Sequence, residues 1–487
     1  RGTAASPWDG ELELVEPGYM GRALCDQEAS AVSGSALLVR RSAFEALGGM
    51  DAENQPFLHG AVDLSLRMSA LKLRTIWTPS AMLVHYGAVS VKARQRQPAE
   101  ALADVVAARR DHHTLMARWM PRLANDPFYN RNLSLTVHYT PEYVAPTDWN
   151  TDFHDRPRIM GVPLTGGAGE YRLRAPLRVI GLAGLAQTMI VEPPKAFFVR
   201  ILTPVEVARA EPDAIILHQP LDDAQTDALE GYARFNKGIR RIITIDDLIT
   251  ALPAKNSFFK AGFKDARPRL RRTLRLADRL VVSTQPLADL CADMIEDIQV
   301  MPNCLEWSLW GEVQPPRLPR RKPRVGWAGA AQHQGDLELI YPVVEALADE
   351  VDWIFMGMCP EPLKPFVHEH HGFELDFRAY PRAMSRLDLD LAIAPLEIHA
   401  FNEAKSNLRL LEYGAMGWPV ICTDIYPYQN APVTRLPNDP EKWITTIREQ
   451  LAEPEALRAA GLALQTWVKN RFILENHAAC WFAAYGP

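Results

Sequence analysis

The sequence predicts an α/β protein in which two Rossmann-like, doubly wound domains face a cleft, preceded by a partial α/β fragment. Three observations carry that prediction. From residue 156 onward, short apolar runs alternate with helical patterns, as parallel strands covered by helices on both faces require. The alternation occurs twice, on either side of "VQPPRLPRRKP" (313–323), a proline- and arginine-rich stretch that reads as a hinge. The chain has 487 residues, 47% hydrophobic and 23% charged, enough length and apolar content for several cores.

Taken in order, residues 1–95 mix strand-like runs ("SALLV", "TIWTPSAMLVHY") with a helical pattern at "AVDLSLRMSALK". Residues 96–155 open on an Ala/Arg-rich helix and turn loop-like at "RLANDPFYNRNLSL", which reads as a linker. Over 156–312 the strands are "RIMGVPL", "DAIILHQP", "RRIITIDDLI" and "DRLVVSTQPLADL", with a helix at "DAQTDALEGYARF". The run "VIGLAGLAQTMIV" (179–191) is too short to span a bilayer and reads as a buried helix. Over 313–487 the strands are "RVGWAGA", "VDWIFMGM", "DLDLAIAPL" and "PVICTD". The last helix is expected to pack back on the 156–312 domain. Ligands of such sheets bind beyond the carboxyl ends of the strands.

Composition narrows the function. A net charge of −6 and a pI near 6.2 argue against general nucleic-acid binding. Six cysteines (25, 291, 304, 359, 422 and 480) form no CxxC and no Cys/His metal spacing, which favours a reducing compartment and no structural metal. The first residue is Arg rather than Met, as in a piece of a longer chain.

The most patterned stretch is "FNEAKSNLRLLEYGAMGWPVI" (401–421). As a helix it places Lys405, Arg409 and Glu412 on one face and Ala404, Leu408, Leu411 and Ala415 on an adjacent apolar stripe. Its start, with Glu403, Lys405, Ser406 and Asn407, offers free N–H groups and positive potential to a diphosphate. Glu412 lies about 10 Å further along, where a ribose could donate to it. Gly417 and Pro419 stop the helix before the strand at Val420. The plainer alternative is a solvated helix face with i,i+4 pairing.

Together with "VGWAGAAQHQGDLELI" (325–340) and "LADRLVVSTQPLAD" (276–289), that stretch resembles the group 1 glycosyltransferases, the family-four type with a GT-B fold, over residues 156–487. The resemblance implies a nucleotide-diphosphate sugar as donor, a glycan or lipid-linked acceptor, retention of configuration and no metal or other cofactor. It assigns the donor ribose to Glu412. Glu403 stands one position away from the family's Glu-x7-Glu spacing, which raises Lys405 as the phosphate partner. Gly329 and His333 would lie near the donor phosphates or sugar, although His333 also suits a loop or cap. In the other domain Gly166, Gly167, Tyr171 and Arg172 follow the first strand. The resemblance points this glycine loop at the cleft, with Arg172 on a phosphate or an acceptor hydroxyl; the alternative is a connecting turn with an exposed Arg. His218 ends a strand where the family has a histidine on the donor sugar. Asp246 and Asp247 would serve acceptor hydroxyls or cap the next segment. The catalytic set is then His218, Glu403 and Lys405.

"SGSALLVRRSAFEALGGMDAENQPFLHGAVDLSLRM" (33–68) resembles a different class, the family-two glycosyltransferases of GT-A fold. Where those read Glu-Asp-x-Asp-Leu, this chain has Gly60-Ala61-Val62-Asp63-Leu64, so an alanine stands in the place of the catalytic base. His85 matches a metal-binding position that has lost its carboxylate partners. An inactive, partial module is expected. The combination of modules implies bacterial surface-polysaccharide synthesis, such as O-antigen or capsule, in the cytoplasm. "SFFKAGFKDARPRLRR" (257–272) is a candidate for peripheral contact with the inner membrane, or simply a basic exposed helix. The rival readings are a non-catalytic sugar- or nucleotide-binding scaffold and a GT-B-like nucleotide-sugar epimerase.

Overall fold

In the computed structural model the described residues are 17–82, 98–137, 139–142, 149–193, 200–220, 222–253, 266–319, 321–330 and 333–487. They form two compact units: Arg1–Trp149 with Leu202–Pro212 and Gly231–Lys237, and Asn150–Ile201 with Asp213–Glu230 and Gly238–Pro487.

The first unit is helical. Its described strands are β1 (Gln27–Glu28) and β2 (Ile76–Trp77), one short antiparallel pair. A long helix, Pro98–Ala124, kinks at Trp119, two residues before Pro121 interrupts its hydrogen bonding. Leu115, Met116 and Leu123 of that helix bury against Leu66, Leu135 and Val205. Asp63 sits at the centre, fully buried. Its carboxylate accepts from Arg67 Nε (2.7 Å), Arg118 Nη1 (2.7 Å) and Trp119 Nε1 (2.9 Å). Arg67 also donates to the carbonyls of Leu47 and Gly49, so Asp63 ties three segments together. Beside it the place expected of a catalytic base holds Ala61, which has no proton to exchange. His85 lies outside the described residues.

The second unit holds two six-stranded, all-parallel sheets. The first contains β3 (Arg158–Val162), β4 (Gln187–Ile190), β5 (Ala214–His218), β6 (Arg240–Ile245), β7 (Arg279–Val282) and β8 (Ile298–Val300), in the order β4-β3-β5-β6-β7-β8. The second contains β9 (Arg324–Gly329), β10 (Asp352–Gly357), β11 (Glu369–His371), β12 (Leu391–Ala394), β13 (Val420–Thr423) and β14 (Thr434–Leu436), in the order β11-β10-β9-β12-β13-β14. That second order is the Rossmann winding, so the predicted pair of doubly wound sheets is what the chain forms. Central strands such as β5 and β12 are buried along their whole length, which is why they read as unbroken apolar runs. The order reverses between β3 and β5 in one sheet and between β9 and β12 in the other; ligand crevices belong at those two points.

Two local expectations differ. The run 179–191 is not one helix: the helix Ala175–Leu182 ends in a turn where Gly184 takes φ +68°, and β4 follows. A left-handed glycine ends the helix, so the apolar run serves two elements. The stretch 401–421 also divides, into a single turn at Ala400–Glu403 and the helix Leu408–Ala415. Lys405, Ser406 and Asn407 form the joint between them. At the other end of the chain the helix Ala478–Tyr485 places Trp481, Ala484 and Tyr485 in the core of the first sheet with Ile216, Ile242 and Val281. The amphipathic candidate at 257–272 falls outside the described residues up to 265; from Ala266 it is the helix Ala266–Leu274.

Candidate functional site

At the switch point of the second sheet, β9 ends on Gly329. A Cβ there would stand 2.4 Å from Trp327 and 2.8 Å from Arg409 Nη2, so only glycine lets the guanidinium lie this close to the strand end. Arg409 stacks over the rings of Trp327 (5.4 Å) and Tyr413 (5.9 Å), and its Nη2 is 3.5 Å from His333 Nε2. His333 Nδ1 is fixed by Asp336 Oδ2 at 2.8 Å. Asp336 Oδ1 in turn accepts from the Glu397 N–H and from Asn402, both at 2.8 Å, and so ties this loop to the one after β12. Burial, then the charges of Lys405 and Arg409, pull the His333 pKa down to about 4. At neutral pH it is an uncharged ring whose Nε2 faces Arg409 as an acceptor.

Lys405 is anchored through its neighbours. Thr284 Oγ1 donates to the Ala404 carbonyl (2.8 Å), and Asn303 Nδ2 donates to Ser406 Oγ (3.0 Å). The ammonium between them has no hydrogen bond or ion pair among the described residues; it lies 5.1 Å from the Phe401 ring centre. Burial lowers its pKa against the pull of Asp247 and Asp336. Arg409 likewise forms no ion pair with a carboxylate among the described residues; Glu412 acts on it only through its field. Two half-buried cations and the first, unsatisfied N–H groups of the helix Leu408–Ala415 thus converge, with Asn407 as its N-cap.

Glu412 is no part of a solvated face. It is 5% exposed; Tyr171 Oη donates to Oε1 at 2.8 Å and Tyr380 Oη to Oε2 at 3.4 Å. Burial pushes its carboxyl above the ordinary range, opposed by Arg409 and the two hydroxyls. Glu403 is half-buried and accepts from the Tyr426 N–H at 3.2 Å.

At the carboxyl end of the first sheet, Gly166 (φ +78°) and Gly167 are exposed, and a Cβ on either would meet nothing within 4 Å. Gly169 differs: a Cβ there would collide with the Leu164 carbonyl, so it is a packing glycine. The next turn, Glu170–Arg174, is a π-helix, and it delivers Tyr171 to Glu412. Arg172 is not exposed, as the connecting-turn alternative required. Fully buried, it donates to the Met301 carbonyl (2.6 Å), Asn303 Oδ1 (3.1 Å) and Thr244 Oγ1, and lies over Trp481. Its reach to the cation cluster is indirect, through Asn303 and Ser406.

His218 is fully buried, with Nε2 3.2 Å from Asp246 Oδ1 and, among the described residues, no partner for Nδ1. Burial pushes Asp246 up, but the His218 hydrogen bond and charge outweigh it and leave the carboxyl below its usual value. Asp247 goes the other way, up to about 6, through burial and then through Asp246. Lys405 is the cation that tempers it, so the ends of β6 and of the 401–407 segment face one another.

Several members of this cluster carried little signal in the sequence. Asp336 stands three residues beyond His333, a spacing at which the first turn of a helix can pair the two side chains. Tyr380 and Asn303 reach the site from distant segments that no local pattern connects to it. Among the described residues no group of three or more His, Cys, Asp or Glu side chains gathers as a metal site, and no helix is long and apolar enough to cross a membrane.

No family model matches the chain. It is 30% identical over 118 residues to the uncharacterized protein y4gI of Sinorhizobium fredii, a match covering 24% of this chain and 12% of that one. It is 32% identical over 109 residues to the O-antigen biosynthesis protein RfbC of Myxococcus xanthus, covering 22% of this chain and 8% of that one. The matched stretches are thus small parts of both relatives. Among solved structures, Anabaena Alr3699/HepE in complex with UDP-glucose superposes with a TM-score of 0.48 at 14% identity, over 67% of this chain and 99% of that one. Sucrose-phosphate synthase from Thermosynechococcus elongatus gives 0.47 at 13% identity, over 68% and 98%.

Proposed function

We propose that the chain is a glycosyltransferase that moves a sugar from a nucleoside-diphosphate donor to a hydroxyl of a glycan or lipid-linked acceptor. The observation that carries this reading is the pair Lys405 and Arg409: two half-buried cations that form no ion pair among the described residues, beside a helix start at the switch point of the second sheet. A diphosphate complements that arrangement in charge and in hydrogen bonding. In the transfer, the bond between the anomeric carbon and the diphosphate oxygen breaks and the acceptor oxygen bonds to that carbon. The two cations hold the charge that collects on the leaving group. Asp247, close to neutrality in its pKa and near Lys405, suits uptake of the acceptor's proton, and His218 and Glu403 would border the sugar. The hydroxyls of Tyr171 and Tyr380 occupy the place at Glu412 that ribose hydroxyls would take. Retention of configuration and work at the cytoplasmic face of a bacterial membrane belong to the same reading. The partial likeness to an O-antigen biosynthesis protein supports a role in surface polysaccharide.

The test is thermal unfolding with UDP, GDP and their sugar conjugates, followed by assay of nucleoside-diphosphate release. One diphosphate is expected to raise the midpoint, and Lys405→Ala and Arg409→Ala to remove most of the rise. No rise with any nucleoside diphosphate, or a rise that survives both substitutions, overturns the reading. Binding without transfer or hydrolysis points to the scaffold instead.

A further inference from the structure

The first unit carries a second cationic site, on the long helix Pro98–Ala124. A pocket of about 460 Å³ is lined by Val106, Arg109, Arg110, His113, Thr114 and Arg234, with no carboxylate in its wall. Among the described residues no carboxylate forms an ion pair with any of the three guanidinium groups. Arg110 donates to the Glu53 carbonyl, an uncharged partner. Arg234 Nη1 lies 3.0 Å from His113 Nδ1, which must therefore act as an acceptor on a neutral ring. Arg109 has no hydrogen bond or ion pair among the described residues. Burial and the charges of Arg234 and Arg109 lower the His113 pKa, in keeping with that neutral ring.

Val106 and Arg110 also line an adjoining groove of about 410 Å³, completed by Pro56, Ala99, Leu102, Ala103 and Ala107. This second groove is apolar. Leu102 and Val106 stand one turn apart on the helix at 66% and 60% exposure, large aliphatic side chains left open to solvent. Along the helix the surface changes from hydrocarbon at Leu102 to guanidinium and imidazole at Arg109 and His113, over about 16 Å at 1.5 Å per residue.

We infer that these two joined grooves bind one molecule of a phosphorylated lipid, its phosphate among Arg109, Arg110 and Arg234 and its hydrocarbon along Leu102 and Val106. Charge complementarity selects the head, because three uncompensated guanidinium groups around one concavity are drawn to a multiply charged oxyanion. The apolar groove selects the tail, since neither a free phosphate nor a soluble sugar phosphate would cover it. A single amphiphile is preferred to a bilayer surface because the charges ring one pocket and the apolar residues continue it end to end. The inference does not depend on the transfer reaction proposed above.

The test uses the full chain and monomeric dodecyl phosphate, titrated calorimetrically beside inorganic phosphate and dodecyl maltoside. Dodecyl phosphate is expected to bind at least about tenfold tighter than either of the others. The double variant R109Q/R234Q should weaken it by about tenfold or more. L102Q/V106Q should weaken dodecyl phosphate without changing the response to inorganic phosphate. All four side chains are exposed or half-buried, and unchanged thermal unfolding verifies that both variants fold. Equal affinity for inorganic and dodecyl phosphate overturns the inference in favour of a simple anion site. Flotation with anionic phosphatidylglycerol vesicles but no affinity for the monomer overturns it in favour of a membrane surface. Insensitivity to both variants places the binding elsewhere.

Discussion

The hydroxyl of Tyr171 donates to Glu412 at 2.8 Å across 241 residues of sequence, joining the first turn of the first sheet to the central helix of the second. Neither residue could be paired with the other from local pattern. The bond decides how the second carboxylate of the 401–421 stretch is used, because a buried acid with both oxygens taken is not yet open to a ligand.

Tyr171→Phe tests this pairing. Loss of a hydrogen bond to a buried carboxylate should lower stability by about 1–3 kcal/mol, measured by urea unfolding. With one oxygen of Glu412 released, a nucleoside diphosphate should bind more tightly, whereas inorganic pyrophosphate, which has no ribose, should bind as before. Equal effects on the two ligands would remove Glu412 from the ribose.

Gly329→Ala asks whether the closeness of Arg409 to β9 matters. The new methyl would stand within 2.8 Å of Arg409 Nη2 and 2.4 Å of the Trp327 ring, so the guanidinium and the indole must shift. Overpacking of this kind destabilises by about 1–3 kcal/mol. Diphosphate affinity should fall with it, and Gly167→Ala, where a methyl meets open space, is the control.

Asp247 makes a prediction about pH. Its carboxyl is raised from 3.8 to about 6, so between those values the folded chain holds a proton that the unfolded chain has released. Stability from this group is therefore present at low pH and lost as pH rises towards and through 6. Asp247→Asn should match the parent near pH 4 and unfold at a higher temperature above pH 6. A constant offset at all pH values would show that Asp247 titrates normally.

Asp63→Asn addresses the first unit. Removing a charge that three donors share leaves Arg67 without its counter-ion and Arg118 with Asp51 alone, at an expected loss of about 3 kcal/mol. Nucleoside-diphosphate binding in the second unit should persist. If it vanished while the protein stayed folded, Asp63 would have a role in the chemistry.

Much of the fold was legible because the rule behind it is local. Continuous apolar strands alternating with helices can only be parallel and doubly covered, and β5 and β12 are buried throughout. The cation cluster was partly legible for the same reason, since Lys405, Ser406, Asn407 and Glu412 lie within one short stretch. What local pattern could not supply was the choice between equivalent environments. Arg172 in "GEYRLR" reads as an exposed basic residue, yet Thr244, Asn303, Met301 and Trp481 enclose it from three other segments. Gly184 lies within an apolar run whose composition suits a helix and a strand alike; the turn appears only in its dihedral angle.

The return of the Ala478–Tyr485 helix to the first sheet has a bearing on how the protein is made. Trp481 and Tyr485 complete the hydrophobic layer against Ile216 and Ile242, and Tyr485 Oη donates to the Arg172 carbonyl at 2.6 Å. A nascent chain on the ribosome, with both sheets already emerged, would still lack the covering of its earlier one. That half must wait, partly open, until the final codons of this region have been translated.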